Sequence, residues 1–190
     1  MKKCNNSGEI IGELGYCGGI VGEMTTGVIS ECKNSGKIDN EIYESKCNGG
    51  IIGYQENGKI ENCVNTGKVF GNQKLGGIAG ILADGKIVNS KNSGEISNLN
   101  NPISSTLYKL VVGGIVGYQK SGEIELCENT GAISSTIQDA GGIVGRCSEG
   151  TIKKCSNFAS ILSKSDGGTG ATGGICRWPR EWYNEPDRYF

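Results

Sequence analysis

The sequence predicts an all-β protein: a repeat β-solenoid of the right-handed parallel β-helix type, with about five full coils and partial coils at its ends. A block of 21 residues recurs five times without insertion, and a fixed period in this range indicates a stacked architecture. Isoleucine and valine stand in short runs between glycines, without helical spacing, which is typical of short strands. The blocks span residues 18–38, 49–69, 76–96, 113–133 and 141–161.

Each block follows the pattern G-G-I-x-G-x4-G-x-[IV]-x2-[CS]-x-N-x-G-x-[IV]. Half copies stand at residues 4–10 and 173–176, and only the last full copy departs from the pattern, at Phe158 and Ala159. We expect two or three strands per copy, with glycines at the corners because glycine adopts positive φ at little cost. An alternative for one stretch is an antiparallel hairpin that turns at Asn57-Gly58.

Stacking the copies in register places identical side chains above one another, at about 4.8 Å per coil. The predicted isoleucine ladder is Ile29, Ile60, Ile87, Ile124 and Ile152. The predicted asparagine ladder is Asn6, Asn34, Asn65, Asn92, Asn129 and Asn157. Stacked amides hydrogen-bond along the axis of cross-β assemblies, so we expect the asparagine ladder to be interior.

Composition narrows the classes of function. The net charge is −1, so we expect no basic surface for nucleic acid. No apolar run approaches the ~20 residues that span a bilayer, and the N-terminus lacks the apolar stretch of a signal peptide. We therefore expect either a cytosolic protein or an excerpt from a longer exported chain, and the start and end of the sequence within a repeat favour the excerpt.

The residues needed for common catalytic chemistry are scarce. The chain contains no histidine, which removes the usual Ser-His-Asp and Cys-His nucleophiles and the histidine metal sites. Carboxylate pairs for a glycosidase, such as Glu23 with Glu31 or Glu56 with Glu61, alternate with lysines as on a solvated face. We therefore expect no catalytic residue, no metal and no cofactor.

Five of the nine cysteines share one repeat position with Ser90: Cys4, Cys32, Cys63, Cys127 and Cys155. We expect them to be buried free thiols, because a site that accepts either cysteine or serine needs a small side chain. Cys17, Cys47, Cys147 and Cys176 lie off this ladder and are expected to oxidise more readily. Of these, Cys17 and Cys47 are expected to react early with thiol reagents.

All length variation falls between one block and the next, in residues 11–17, 39–48, 70–75, 97–112, 134–140 and 162–172. Insertions at one place in each repeat lie on one face, often the binding face, although neutral drift at an exposed corner explains them equally well. The longest connection contains Tyr108. We expect it to protrude.

The chain divides into a repeat domain at residues 1–176 and an aromatic segment at residues 177–190, RWPREWYNEPDRYF. An open solenoid end requires a cap, and aromatic residues suit that role. A contact site for a glycan or protein, or the start of a further domain, are the alternatives. The candidate contact residues are Tyr108, Trp178, Trp182 and Tyr183.

The tetrad G-I-[VIA]-G, followed by G-x-I-x-x-C-x-N-x-G, resembles the GLUG repeat of bacterial surface proteins. The tetrads stand at residues 19–22, 50–53, 77–80, 114–117 and 142–145, and the resemblance covers residues 4 to 176. GLUG repeats occur in exported adhesin-like proteins and in non-catalytic parts of immunoglobulin A peptidases.

This resemblance implies a cell-surface or secreted scaffold without catalytic residues, acting in adhesion or as a spacer, with a host or cell-surface glycan or protein as partner. The alternative function is a carbohydrate-active β-helix enzyme or its accessory carbohydrate-binding region.

Overall fold

The computed structural model describes residues 1–12, 15–39, 45–98, 110–135, 139–164 and 171–176. These residues form 28 short strands and no helix. The strands belong to five sheets, and successive coils pair in parallel within each sheet. The all-β solenoid predicted from the repeats is confirmed, whereas the right-handed sense of its winding stays a prediction.

Each full coil contributes one strand to each of five sheets, numbered here in chain order from the strand that ends at the Gly-Gly pair. Sheet 1 contains Gly15–Gly18, Ser45–Gly49, Lys74–Gly76, Val111–Gly113, Asp139–Gly141 and Thr172–Gly173. Sheet 2 contains Val21–Met24, Ile52–Gln55, Ala79–Leu82, Val116–Gln119 and Val144–Cys147. Sheet 3 contains Val28–Ser30, Lys59–Glu61, Lys86–Val88, Glu123–Glu125 and Thr151–Lys153. Sheet 4 contains Asn5–Asn6, Lys33–Asn34, Val64–Asn65, Lys91–Asn92, Glu128–Asn129 and Ser156–Asn157. Sheet 5 contains Ile10–Ile11, Ile38–Asp39, Val69–Gly71, Ile96–Asn98, Ile133–Ser135 and Ile161–Ser163.

The prediction of two or three strands per copy was too low. Sheet 4 strands hold only two residues, and sheet 1 strands lie in the connections except for their last residue, which is the first glycine of the block. The hairpin alternative is wrong, because Ile52–Gln55 and Lys59–Glu61 lie in different sheets. Each of these strands pairs in parallel with its counterparts in the neighbouring coils.

The isoleucine ladder is confirmed. Its members are in register across sheet 3, and the four in the inner coils are at most 1% exposed. They belong to a first apolar cluster, built from sheets 2 and 3 and the ladder cysteines. A second cluster joins side chains of sheets 1 and 5, such as Leu75 and Val69.

The glycines of the block have two separate roles, where the sequence predicted one. The glycine before sheet 3 has positive φ in every copy, between 82° and 123°, and so marks a corner as expected. The Gly-Gly pair instead allows its backbone to lie close to the backbone of the next coil and to the ladder asparagine. A Cβ on the second glycine, as at Gly50, would lie under 3.0 Å from the ladder asparagine of the same coil, Asn65.

The asparagine ladder is confirmed as a continuous hydrogen-bonded column. Each ladder side chain donates from Nδ2 to Oδ1 of the next asparagine at 2.8 Å, through all five steps from Asn6 to Asn157. The same Nδ2 also donates to the carbonyl two residues further on, which is Gly67 for Asn65. The ladder therefore pairs buried amides within the coil and between coils.

A second corner, between sheets 3 and 4, holds a residue in the left-handed region in every coil. These residues have φ between 46° and 55°: Lys3, Glu31, Asn62, Asn89, Leu126 and Lys154. No glycine occupies this corner, and asparagine is the residue type best suited to it. Asn89 Nδ2 also donates to Asn62 Oδ1 at 2.6 Å.

The last coil is less tightly held than the inner coils. Ala159 stands where the other copies have glycine, and Asn157 Nδ2 reaches its carbonyl at 3.1 Å, against 2.8–3.0 Å elsewhere in the ladder. Ile152, Cys155 and Ile161 of this coil are half-buried, whereas their counterparts one coil earlier are buried.

Candidate functional site

Length variation is confined to one corner of the coil, between sheets 5 and 1, because the other corners fall within the fixed block. Residues 70–75 form the one connection between full coils that lies wholly within the described ranges. There Asn48 Nδ2 donates to the Phe70 carbonyl at 2.7 Å. The Phe70 ring lies near two lysines, Lys37 at 5.4 Å and Lys68 at 6.0 Å from its centroid.

The other variable connections lie partly outside the described residues, including most of the longest, 97–112. The four candidate contact residues, Tyr108, Trp178, Trp182 and Tyr183, also lie outside them, as does the whole segment 177–190. Their role as contact residues stays a prediction.

A groove of about 230 Å³ lies on the outer face of sheet 4 in the first three coils. Its lining residues are Asn5, Asn6, Ser7, Lys33, Asn34, Ser35, Val64 and Thr66. The hydroxyls come from the repeat position after the ladder asparagine, which is serine or threonine in every copy but the last. Ser35 and Thr66 donate to the carbonyls of Asn6 and Asn34, each at 3.3 Å.

This groove is suited to hydrogen bonding with a hydroxyl-rich ligand rather than to covalent chemistry. The serine and threonine hydroxyls keep lone pairs free to accept hydrogen bonds, and Lys33 forms no ion pair with any other described residue. No general base adjoins these hydroxyls among the lining residues. Sequence reasoning missed the groove, although the serine and threonine column was readable at a fixed repeat position.

Two of the four candidate carboxylates, Glu31 and Glu61, form solvated ion pairs with lysines. Glu31 contacts Lys2 at 3.1 Å and Lys3 at 3.7 Å, and the hydrogen bond from Lys2 holds the pKa of Glu31 below its ordinary value. Glu61 pairs with Lys59 in the same strand. The lowered pKa of Glu31 and its exposed lysine partners suit charge balance along the surface, because a general acid requires a raised pKa.

The ladder cysteines form a column of thiols within the first apolar cluster. In the middle of the column, the Cys63 amide donates to Ser90 Oγ at 3.2 Å, and the Cys63 thiol donates to the Glu61 carbonyl at 3.4 Å. Burial raises the pKa of Cys63 to about 11. At the last coil, the hydrogen bond from Cys127 lowers the pKa of Cys155 to about 7.

The prediction that Cys17 and Cys47 lie in an accessible connection is wrong. They are 7% and 1% exposed, because the residues before Gly-Gly form the strands of sheet 1 and not a loop. Cys147 is buried, and Cys176 is half-buried. The hydrogen bond between these two thiols lowers the pKa of Cys147 and raises that of Cys176. Cys176 is the most exposed of the four off-ladder cysteines, because the other three are buried.

Tyr16 and Tyr54 form an aromatic pair that the sequence analysis did not anticipate. Their rings stack with centroids 4.8 Å apart, and burial raises the pKa of both phenols. Tyr54 stands in sheet 2 and Tyr16 in sheet 1 of the preceding coil. The pair joins adjacent coils on the outside of the solenoid.

Within the described ranges, no group of three or more histidine, cysteine, aspartate or glutamate side chains is placed to hold a metal ion. No helix in the same residues is long and apolar enough to cross a membrane.

Residues 45–69 match the family model for the GLUG motif. This stretch of the chain is a GLUG motif. It begins with the sheet 1 strand Ser45–Gly49 and ends at Val69, the first residue of a sheet 5 strand. The GLUG motif therefore corresponds to one coil of this solenoid, with one strand for each of the five sheets. No curated protein matches the chain, and no solved structure does.

Proposed function

We propose that the protein is a non-catalytic GLUG-repeat scaffold of a bacterial cell-surface or secreted protein, which presents its variable corner to a host or cell-surface glycan or protein. The observation that carries this proposal is the distribution of length variation. Each block holds 21 residues, whereas the connections between sheets 5 and 1 range from six residues at 70–75 to 16 residues at 97–112.

Rigid stacking gives a physical reason for this division of roles. The Gly-Gly pair and the asparagine ladder occupy positions where an added side chain or a lost amide disturbs the next coil. The connections begin and end in paired strands of sheets 5 and 1, and they differ in length between those strands. Loops positioned by a rigid framework are the usual carriers of binding function.

Two properties of the described surface agree with a role without catalysis. The candidate carboxylates Glu31 and Glu61 are paired with lysines, and the chain lacks the histidine on which common nucleophile activation depends. The sheet 4 groove offers hydroxyl and amide groups for a glycan. A carbohydrate-binding accessory role is therefore the second candidate function.

An exchange of connections tests the proposal. Residues 97–112 are replaced by the six residues of 70–75, and binding to a glycan array and to host-cell surface proteins is compared with that of the unchanged chain. We expect the circular dichroism spectrum to be retained and binding to be lost. The matched variant Lys33→Ala with Thr66→Val alters the groove and should leave that binding unchanged.

The outcomes separate the candidates. Loss of glycan binding only in the Lys33 and Thr66 variant moves the binding site to the groove. Unchanged binding in both variants contradicts the presentation of a ligand by either surface. Release of reducing sugar from any polysaccharide contradicts the non-catalytic assignment.

A further inference from the structure

The outer surface of the last coil carries two large apolar side chains where the preceding coil has Thr130 and Ser134. Phe158 is 73% exposed and Leu162 is 53% exposed. The position of Phe158 is serine or threonine in the five other copies, and the position of Leu162 is serine in the two preceding coils. Two large exposed side chains that replace hydroxyls in one coil indicate a surface that contacts something other than water.

The interior of the same coil is also uncovered. Ile152, Cys155 and Ile161 close the columns of the two apolar clusters and are half-buried. Ile175, in the partial coil above, is 41% exposed. Asn157 donates to the Ala159 carbonyl but has no further asparagine above it among the described residues. The last coil thus combines exposed apolar side chains on its outer surface with half-buried apolar side chains at its end.

A second copy of the chain is poorly matched to this surface. Lys2 pairs with Ser30 and so belongs to the column that ends at Lys153. Head-to-tail stacking would bring Lys2 of one copy above Lys153 of the other, about 4.8 Å away. The same stacking would place Lys3 of one copy above Lys154 of the other, since both residues stand at the left-handed corner. Two pairs of like charges would therefore repel each other. Lysines at strand edges are a recognised means of preventing such pairing.

The segment 177–190 has the composition and attachment that the surface requires. It follows Cys176, which bridges to Val144 at this same end of the solenoid. It contains both tryptophans of the chain together with two tyrosines and a phenylalanine. Fourteen extended residues reach up to about 45 Å, whereas a three-residue strand spans about 10 Å. The segment is therefore long enough to cross the end of the coil and reach Phe158.

We propose that residues 177–190 dock on the last coil, with their aromatic side chains against Phe158, Leu162 and the open ends of the two apolar clusters. The docked segment closes the end of the solenoid and shields Cys155. This proposal is independent of the proposed function, because it concerns a contact within the chain.

Tryptophan fluorescence of the full chain tests the docking, since Trp178 and Trp182 are the only tryptophans and both lie in the segment. In the folded protein we expect a blue-shifted emission and weaker acrylamide quenching than in the urea-unfolded chain. The variant Phe158→Ser with Leu162→Ser carries residue types that other coils use at these positions. It should shift emission and quenching towards the unfolded values while the circular dichroism spectrum is retained.

A matched control and a second reporter sharpen the result. Val28→Ser removes an apolar side chain that is 47% exposed in the first coil and should leave the fluorescence unchanged. Alkylation of Cys155 should be slow in the unchanged chain and faster in the double variant, with a rate that rises through about pH 7 as the thiol ionises.

Fully exposed tryptophans in the folded, unchanged chain would overturn the proposal, and this measurement needs no variant to fold. Tryptophan shielding that disappears on dilution, together with sedimentation as a dimer, would assign the surface to a second copy instead. Unaltered fluorescence in a folded double variant would show that the segment does not contact Phe158 or Leu162.

Discussion

Asn65 is the position where the asparagine ladder is tested most cleanly by mutation. Its side chain is fully buried and forms three hydrogen bonds of 2.8 Å. Nδ2 donates to the Gly67 carbonyl and to Asn92, and Oδ1 accepts from Asn34. Asn65→Ala removes all three bonds and leaves three buried groups without these partners: an N–H of Asn34, the Gly67 carbonyl and Asn92 Oδ1.

The expected loss of stability follows from those three groups. A buried donor or acceptor left unpaired costs about 1–3 kcal/mol, so Asn65→Ala should destabilise the protein by about 3–9 kcal/mol. For a chain of this size each 1 kcal/mol corresponds to roughly 2–4 °C in Tm. At the middle of the range, the variant should therefore melt about 12–24 °C below the unchanged protein.

Thermal and urea unfolding followed by circular dichroism provide the measurement. Lys59→Ala is the matched control, because Lys59 is in the same coil, is 43% exposed at its side chain and forms only a surface ion pair. Such pairs contribute about 0–1 kcal/mol. Asn6→Ala, at the half-buried end of the ladder, should have an intermediate effect. Equal stabilities for Asn65→Ala and Lys59→Ala would refute an interior ladder.

Four further predictions follow from single residues. Gly50→Ala should prevent folding because its Cβ would overlap Asn65, whereas Gly174→Ala at the equivalent position meets no atom within 4 Å and should fold; equal expression and Tm would contradict this. Leu126→Asn should raise Tm by roughly 2–4 °C, because Leu126 is 48% exposed and has φ of 55°; a lower Tm would refute strain at that corner. Cys63→Ser should fold with a modest loss of stability, as Ser90 in the same column indicates, and native alkylation of Cys63 before unfolding would contradict its burial. Contacts with Lys2 and Lys3 lower the pKa of the Glu31 carboxyl in the folded protein. The stability that these contacts contribute is therefore present above the pKa of the unfolded chain and is lost as the pH falls through the pKa of the folded protein. Acid should lower the Tm of the unchanged protein more than that of Glu31→Gln.

The fold was readable from the sequence because its main contacts are repeated. The isoleucine and asparagine columns recur at fixed positions, and a parallel in-register stack is the arrangement that gives each residue an identical neighbour. The Gly-Gly pair was also visible in the repeat pattern. The reason that it must be glycine was not visible, since the contact between Gly50 and Asn65 joins segments that lie 15 residues apart.

Other features left no uniform sequence signal. The left-handed corner holds lysine, glutamate, asparagine and leucine, so no residue type marks it. Cys17 and Cys47 precede Gly-Gly in connections of different length, and only the sheet pairing reveals that they belong to strands. The groove on sheet 4 depends on the outward direction of serine and threonine side chains, which the repeat pattern alone does not give.

The side-chain amides of the ladder provide the most direct test of the proposed stack. Hydrogen exchange measured by NMR distinguishes an amide paired between two coils from one in contact with water. We predict slow exchange for Asn34, Asn65, Asn92 and Asn129, and fast exchange for the exposed neighbour Asn5, which precedes the first ladder residue. Exchange of Asn65 and Asn92 as fast as that of Asn5 would contradict the buried ladder and, with it, the in-register solenoid.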